Sequence, residues 1–485
     1  MLVRKRKEVQ EVLRTERGGL GRTLLLHLFY NAVYLLALAV ASPYIAFKLF
    51  TQPRFRAGAD QRLGRLPRRS GSERCLWVHG VSVGELLAVS RFLELYRERH
   101  PDWDIVVSTT TLAGYNVAKR QYAHLKVVYH PIDLSWVVNR ALRRIRPSLI
   151  LLIELEIWPN FLVAARRRGV PVALINGRIS DRSFRGYRPW QRLLAEPMRQ
   201  ISLFCVQNKK YAARLRALRI PAEQVIVTGT MKYDTIVTEG VEALRTRMAA
   251  SLRIPEHSTV MIGGSTHPPE ERILLEVYRS LVVDHPDLFL ILAPRRPERM
   301  DEVEEQIRDA GLVCIRRSRQ SADPPAGGAR QAREHASSGA IHPKKGTVLL
   351  IDTMGELSKV YAAADVVFVG GSLLPHGGQN MMEAAGLGRA VLFGPYIRNF
   401  QDSVDLLLEH DAAVMVRDQD DLEEALRGLL DDPSRMLDMG QCARTLIREA
   451  QGASRSSLET LENRFEDLFP RRSEPVARQP QEESR

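Results

Sequence analysis

Two carboxylates, Glu154 and Glu156, leave the most apolar run of the chain, Leu149-Ile150-Leu151-Leu152-Ile153. Charges beside such a run are costly unless they are paired or used. A third carboxylate, Glu85, follows His79-Gly80-Val81-Ser82-Val83-Gly84 and opens a helix. Exposed amides at a helix start stabilise an anion, so Glu85 reads either as a helix-terminus residue or as a general base. Lys232 stands in Thr228-Gly229-Thr230-Met231-Lys232-Tyr233-Asp234, where it can pair with Glu154 or meet a substrate carboxylate.

Four other loops have the residue types that hold anions. Gly263-Gly264-Ser265-Thr266-His267-Pro268 offers amides and hydroxyls to a phosphate, or simply caps a helix. Pro294-Arg295-Arg296-Pro297 places arginines at a strand end, suited to bidentate grip of phosphate or carboxylate. Thr353-Met354-Gly355-Glu356-Leu357 starts a helix. Val369-Gly370-Gly371-Ser372 leads through Gly377-Gly378 to Asn380-Met381-Met382-Glu383, where Asn380 and Glu383 share a helix face. A carboxylate there can accept from ribose hydroxyls, and Ser265, Thr266, Gly371 and Ser372 are further candidates for phosphate or substrate contacts. No Walker A ending and no GxGxxG in the required setting occurs, which argues against a P-loop or NAD.

The elements that must carry these residues alternate between strand and helix. Strands are expected at 75–79, 104–109, 148–154, 171–176, 203–207 and 224–228, then at 259–263, 287–293, 348–352, 366–369 and 390–393. Continuously apolar strands suit a parallel sheet covered on both faces. The fold class is therefore α/β, with two Rossmann-like doubly wound domains whose strand ends face a cleft. The expected division is a membrane-anchoring segment (1–50), a first domain (51–235), a linker (236–255), a second domain (256–450), a C-terminal helix (451–470) and a disordered tail (471–485). Residues 318–346 read as a flexible insertion.

Thr23 to Phe47 contains no Asp, Glu, Lys or Arg, which predicts a membrane-anchor helix, either spanning or lying in one leaflet. Basic residues flank it on both sides. The formal charge of +13 fits an anionic partner. Four scattered cysteines without a CxxC pair give neither a zinc site nor a disulfide framework.

The ordered set HGVSVGE, IELEIWPN, NGRIS, TGTMKYD, GGSTH, APRRPER, DTMGEL and FVGGSLLPHGGQNMMEA resembles the 3-deoxy-D-manno-octulosonic acid (Kdo) transferases of lipopolysaccharide assembly, over about residues 51–450. The resemblance implies a GT-B fold, a CMP-Kdo donor and a lipid A precursor as acceptor. It implies inversion at the anomeric carbon and no metal or other cofactor. It assigns Glu85 as the general base, and Glu154 and Lys232 to transition-state stabilisation. Pro294, Arg295, Met354, Gly355, Glu356, Asn380, Met381, Met382 and Glu383 match the CMP-binding positions. The expected partners are CMP-Kdo, the lipid acceptor and an anionic membrane surface, with no nucleic acid, at the cytoplasmic face of the inner membrane. His376, Gln379, Met381 and Met382, together with the insertion, depart from the family pattern. The competing readings are a GT-B enzyme using a different nucleotide sugar and a noncatalytic basic membrane-surface protein.

Overall fold

In the computed structural model the described residues are 28–469, without 29, 45, 49, 52–55, 72, 321–345 and 399. They divide into two compact units: residues up to Thr235 with those from Gln451 onward, and Ile236–Ala450.

The first unit holds a seven-stranded parallel sheet: β1 (Cys75–His79), β2 (Asp104–Thr109), β3 (Lys126–Tyr129), β4 (Leu149–Ile153), β5 (Val172–Gly177), β6 (Leu203–Val206) and β7 (Val225–Val227). The strand order is β3-β2-β1-β4-β5-β6-β7. Alternate residues of each central strand enter opposite cores. Trp77, Ile150 and Leu152 pack into one, and Leu76, Val78, Leu149, Leu151 and Ile153 into the other, all fully buried. Burial on both faces explains why these strands read as unbroken apolar runs. The order reverses between β1 and β4, which pair directly. Such a reversal opens a crevice at the carboxyl ends of the two strands.

The second unit repeats the plan with β8 (Thr259–Thr266), β9 (Leu288–Pro294), β10 (Val313–Arg316), β11 (Thr347–Leu350), β12 (Val366–Val369), β13 (Ala390–Phe393) and β14 (Val414–Met415). Their order is β10-β11-β9-β8-β12-β13-β14, so this sheet reverses between β8 and β12.

Several expectations are modified. The helix that Glu85 was expected to open begins at Val83 and ends at Ala88, and a second, Ser90–Arg99, follows after Val89. The strands β3, β10 and β14 were not expected. The segment read as a linker forms the helix Val241–Leu252 and belongs to the second unit, where Arg245 binds Asp365 at 2.6 Å. The C-terminal helix Ala453–Arg464 belongs to the first unit: Ala453, Leu458 and Leu461 are buried with Leu203, Cys205 and Met231. At the start of the presumed insertion, Arg317–Gln320 is helical, with Ser318 bonded through N and Oγ to Asp352. Most of the insertion, the tail and part of the apolar N-terminal stretch lie outside the described residues. Among the described residues no helix is long and apolar enough to cross a membrane.

All five tryptophans, Trp77, Trp103, Trp136, Trp158 and Trp190, belong to the first unit, so their fluorescence follows its unfolding alone. Leu461→Ala leaves a cavity in that unit's core and is expected to cost about 2–5 kcal/mol. The fluorescence-detected urea midpoint should fall accordingly. An unmoved midpoint would show that the C-terminal helix adds nothing to this core.

Candidate active site

The crevice of the first unit lies where β1 ends in His79-Gly80 and β4 ends at Ile153. Ser82 caps the next helix by accepting from the Glu85 amide at 3.2 Å, and Glu85 Oε2 accepts from the Val81 amide at 2.7 Å. Ser82 is thus the N-cap, and the Glu85 carboxylate reaches back one residue beyond it, so Glu85 sits at a helix terminus. Glu85 is nevertheless only half-buried. Its other oxygen accepts no hydrogen bond among the described residues, so a catalytic role is equally open to it.

Glu154 follows β4 with φ 60°, in the left-handed region that side-chain-bearing residues seldom adopt. Its amide still reaches back to Ile175 O at 3.0 Å. The turn therefore ends the strand abruptly and projects the carboxylate from the sheet end. Next door, β5 and β6 slip register between Leu174 and Gly177, and Asn176 there has φ 54°. The fully buried Asn176 side chain accepts from the Met231 amide at 3.1 Å and from Gln207 Nε2 at 3.2 Å. That contact fixes the turn bearing Lys232.

These backbone devices bring together Glu85, Glu154 and Lys232, and they add Glu156 and Arg178. Burial raises the Glu154 pKa, the Glu85 charge raises it further, and Lys232 and Arg178 oppose the rise. Glu156 is pushed up to about 7 by burial and by the charges of Glu85 and Glu154, with Trp158 opposing. Three half-buried carboxylates thus act on one another's charge beside half-buried Arg178 and exposed Lys232. The sequence reading contained Glu156 and Arg178 in its motifs but gave neither a role, because no local spacing links them to Glu85.

Beneath the patch lies an uncharged support. His79 and His130 stack at 3.7 Å between ring centroids, and His79 Nδ1 lies 3.0 Å from Ser108 Oγ. Complete burial lowers the His79 pKa to about 3, and burial lowers that of His130 well below its ordinary value. Burial thus favours the neutral form of both rings, and the stacked pair underlies the loop after β1.

In the second unit, Asn380 Nδ2 donates to Glu383 Oε1 at 3.0 Å, although Asn380 stands just before the helix Met382–Gly386 and not on its face. Burial raises the Glu383 pKa, opposed by Asn380 and by the charge of Arg295. Pro294 ends β9, and exposed Arg295 follows, its amide bonded to Thr266 O at 3.0 Å. Tyr361 lies fully buried beneath the glycine loop. Its hydroxyl bonds the Ser265 side chain, and the Glu383 charge together with burial raises its pKa. A Cβ at Gly264 would lie 2.1 Å from that hydroxyl, which is why the position requires glycine. Arg295, Asn380, Glu383 and Ser265 are therefore linked. Met354, exposed, and Gly355, at φ 85°, follow β11, the neighbour of β9. Glu356 accepts from Thr353 Oγ1 and lies 3.7 Å from Arg317 Nε. The helix it opens, Leu357–Val360, is a single turn and presents little dipole.

Several expected contacts are corrected by geometry. The fully buried Glu270 carboxylate accepts from four amides, those of His267 (2.9 Å), Gly371 (2.7 Å), Ser372 (3.0 Å) and Leu373 (3.0 Å). The Gly371 and Ser372 amides, read as phosphate donors, are therefore already engaged. The Ser372 hydroxyl donates to Val369 O and accepts from the Gly394 amide. Thr266 is 1% exposed, and the Met381 and Met382 side chains are buried, so those three contribute shape to the loop and no outward side-chain contact. Nothing local predicts Glu270, which stands 101 residues before Gly371.

Among the described residues no group of three or more His, Cys, Asp or Glu could hold a metal ion. All four cysteines are free.

Residues 57–235 match the family model described as "3-Deoxy-D-manno-octulosonic-acid transferase (kdotransferase)". The 3-deoxy-D-manno-octulosonic acid transferase of Bordetella pertussis is 32% identical over 89% of this chain and 99% of its own length. The chain belongs to the Kdo transferase family. It is thus a glycosyltransferase. The Haemophilus influenzae Kdo transferase is 28% identical over 89% of this chain and 97% of its own length. Among solved structures, the UDP-GlcNAc 2-epimerase of Neisseria meningitidis resembles it with TM-score 0.51 and 16% identity, covering 80% of this chain and all of that one. That likeness concerns the fold of two parallel α/β sheets.

Two outcomes test this geometry. Glu270→Gln replaces a charged acceptor of four amides by a neutral one. Exchange of the Gly371, Ser372 and Leu373 amides with deuterium should accelerate relative to the β12 amides, and unchanged protection would refute the stitch. Glu156 ionises at higher pH folded than unfolded, so its contribution to stability is complete below the ordinary 4.5 and is lost as pH rises through about 7. Glu156→Gln should therefore gain melting temperature over the native protein above that window and lose the advantage below it.

Proposed function

We propose that this Kdo transferase moves Kdo from CMP-Kdo to a lipid A precursor, lipid IVA, at the cytoplasmic face of the inner membrane. The observation that carries the reading is the grouping of half-buried Glu85, Glu154, Glu156 and Arg178 with exposed Lys232 near the strand-order reversal of the first unit. A base with one oxygen anchored and one unengaged suits proton removal from a sugar hydroxyl. Adjacent cations suit a sugar acid whose carboxylate and departing phosphate are both anionic.

Glu85 takes the proton of the acceptor hydroxyl as that oxygen bonds to the anomeric carbon of Kdo. The bond from that carbon to the phosphate oxygen breaks, and CMP leaves with the electron pair. Attack opposite the leaving group inverts the centre. Lys232 and Glu154 hold the developing charges, with Arg178 beside them. In the second unit, Arg295 meets the phosphate and the Asn380–Glu383 pair meets the ribose. No metal is assigned to any step. The formal charge of +13 and the uncharged run from Thr23 to Phe47 support an acceptor embedded in an anionic membrane.

Glu85→Gln should keep the fold and CMP binding, with transfer falling about 10²–10⁴-fold. The checks are CMP release from CMP-Kdo with lipid IVA in detergent micelles, and mass spectrometry of the lipid product. Near-native transfer by Glu85→Gln would remove that residue from the mechanism. Release of UDP from a UDP-sugar, with none of CMP from CMP-Kdo, would overturn the donor.

A further inference from the structure

The apolar N-terminal stretch has two faces. Residues 30–44 are helical. Tyr30 is buried, and Asn31, Tyr34, Leu38 and Ala41 are half-buried, at spacings of one helical turn. On the other side Val33, Leu36, Val40, Tyr44 and Phe47 are 49, 68, 77, 62 and 61% exposed, again at steps of three and four. One face is thus partly covered, with its bonds at Asn31 and Tyr34, and the opposite face is an exposed apolar stripe.

The docked face meets a buried polar node. Asn31 Oδ1 accepts from the Ser135 amide at 3.0 Å, and its Nδ2 donates to Ser135 Oγ at 2.9 Å. It thereby caps the helix Ser135–Ile145, whose own N-cap residue, Leu134, makes no side-chain bond. Asn31 Oδ1 also lies 3.3 Å from Nδ2 of the fully buried Asn160. Asp133, 1% exposed, accepts from the Asn160 and Phe161 amides at 3.0 and 2.8 Å, and so caps the helix Pro159–Arg166. The Tyr34 side chain bonds the same carboxylate. Asn160 follows Glu156 by four residues in the chain.

We propose that this helix lies side-on in the boundary layer of an anionic bilayer, with Val33, Leu36, Val40, Tyr44 and Phe47 inserted. Asn31 and Tyr34 lock its other edge to Asp133 and Asn160, and are positioning residues that fix the carboxylate patch at one height over the membrane. The membrane as partner rests on the function proposed above; the orientation and the lock do not. A spanning helix would have to leave its dock, exposing Asn31 to hydrocarbon and stripping bonds from the buried Asp133 and Asn160. The side-on placement keeps every bond and covers the stripe. Lys48 and Arg56 follow the stripe, and the chain's excess of positive charge selects anionic headgroups.

The test uses the full chain with Cys314 and Cys442 replaced by Ser. Single cysteines at Val33, Val40 and Phe47 carry an environment-sensitive fluorophore. The vesicles are phosphatidylethanolamine with a minority of phosphatidylglycerol and contain lipid nitroxides placed near the headgroup or near the bilayer centre. All three labels should be quenched most by the shallow nitroxide. A label at Val40 quenched most by the deep nitroxide, with the other two shallow, means a spanning helix and overturns the proposal. Failure to bind vesicles, including through self-association over the stripe, also overturns it; CMP release in micelles then reports separately on the proposed function. Asn31→Leu keeps the helix apolar and removes the lock. Transfer to acceptor in vesicles should drop about 10-fold or more, with vesicle binding and transfer in micelles retained. Tyr34→Phe is a milder variant and should shift the same ratio in the same direction. A vesicle-to-micelle ratio unchanged in both variants refutes the lock.

Discussion

Parallel strands that separate at a switch point leave amides that no neighbouring strand can satisfy, and in both units a glutamate takes them. Val81 gives its amide to Glu85 after β1; His267, Gly371, Ser372 and Leu373 give theirs to Glu270 after β8 and β12. The two glutamates differ in exposure. Glu270 is sealed with four donors and can only hold its loops together. Glu85 spends one oxygen on the backbone, and among the described residues its other oxygen accepts no hydrogen bond.

Exposure also sets the electrostatics around Glu85. Burial disfavours the charged forms of Glu154 and Glu156, and the neighbouring carboxylates add to the penalty. Glu156 absorbs most of that stress, with its pKa at about 7, whereas Glu154 is relieved by Lys232 and Arg178. The backbone at Glu154 is itself in an unfavourable region, at φ 60°. Strain and crowded charge in one place mark a site maintained against local stability.

What the sequence disclosed follows from the range of the interactions. The buried central strands were legible because burial on both faces writes an unbroken apolar run; β1, β2, β12 and β13 begin and end where expected. The strands β3, β10 and β14 all lie at sheet edges; β3 opens on Lys126, β10 is half-exposed and β14 is two residues long, so their apolar runs are faint. Glu85 was readable as a helix-terminus residue because the amides that favour a carboxylate there are its sequence neighbours. Asn380 and Glu383 were readable as a pair because they are three residues apart. The double glycine at Gly370-Gly371 resembled an empty anion cradle, but its occupant is Glu270, distant in sequence. Likewise, the placement of Met381 and Met382 in the core depends on packing that no local pattern encodes.

The position of Lys232 shows how far such dependence reaches. Its turn is held from one side by Asn176, which bonds the Met231 amide. From the other side the returning chain holds it: Gln451 Nε2 donates to Tyr233 O, and the Asp234 carboxylate accepts from the Gly452 and Ser454 amides. Asp234 therefore caps the C-terminal helix that covers the sheet of the first unit, and that helix in turn pins the residues flanking Lys232. The partners of these bonds lie about as far apart as the whole second unit is long, 218 residues between Asp234 and Gly452. A chain ending at Ala450 would contain every residue of the carboxylate patch and lack the buttress that fixes its lysine. The first unit is therefore completed only by the segment that follows the second one.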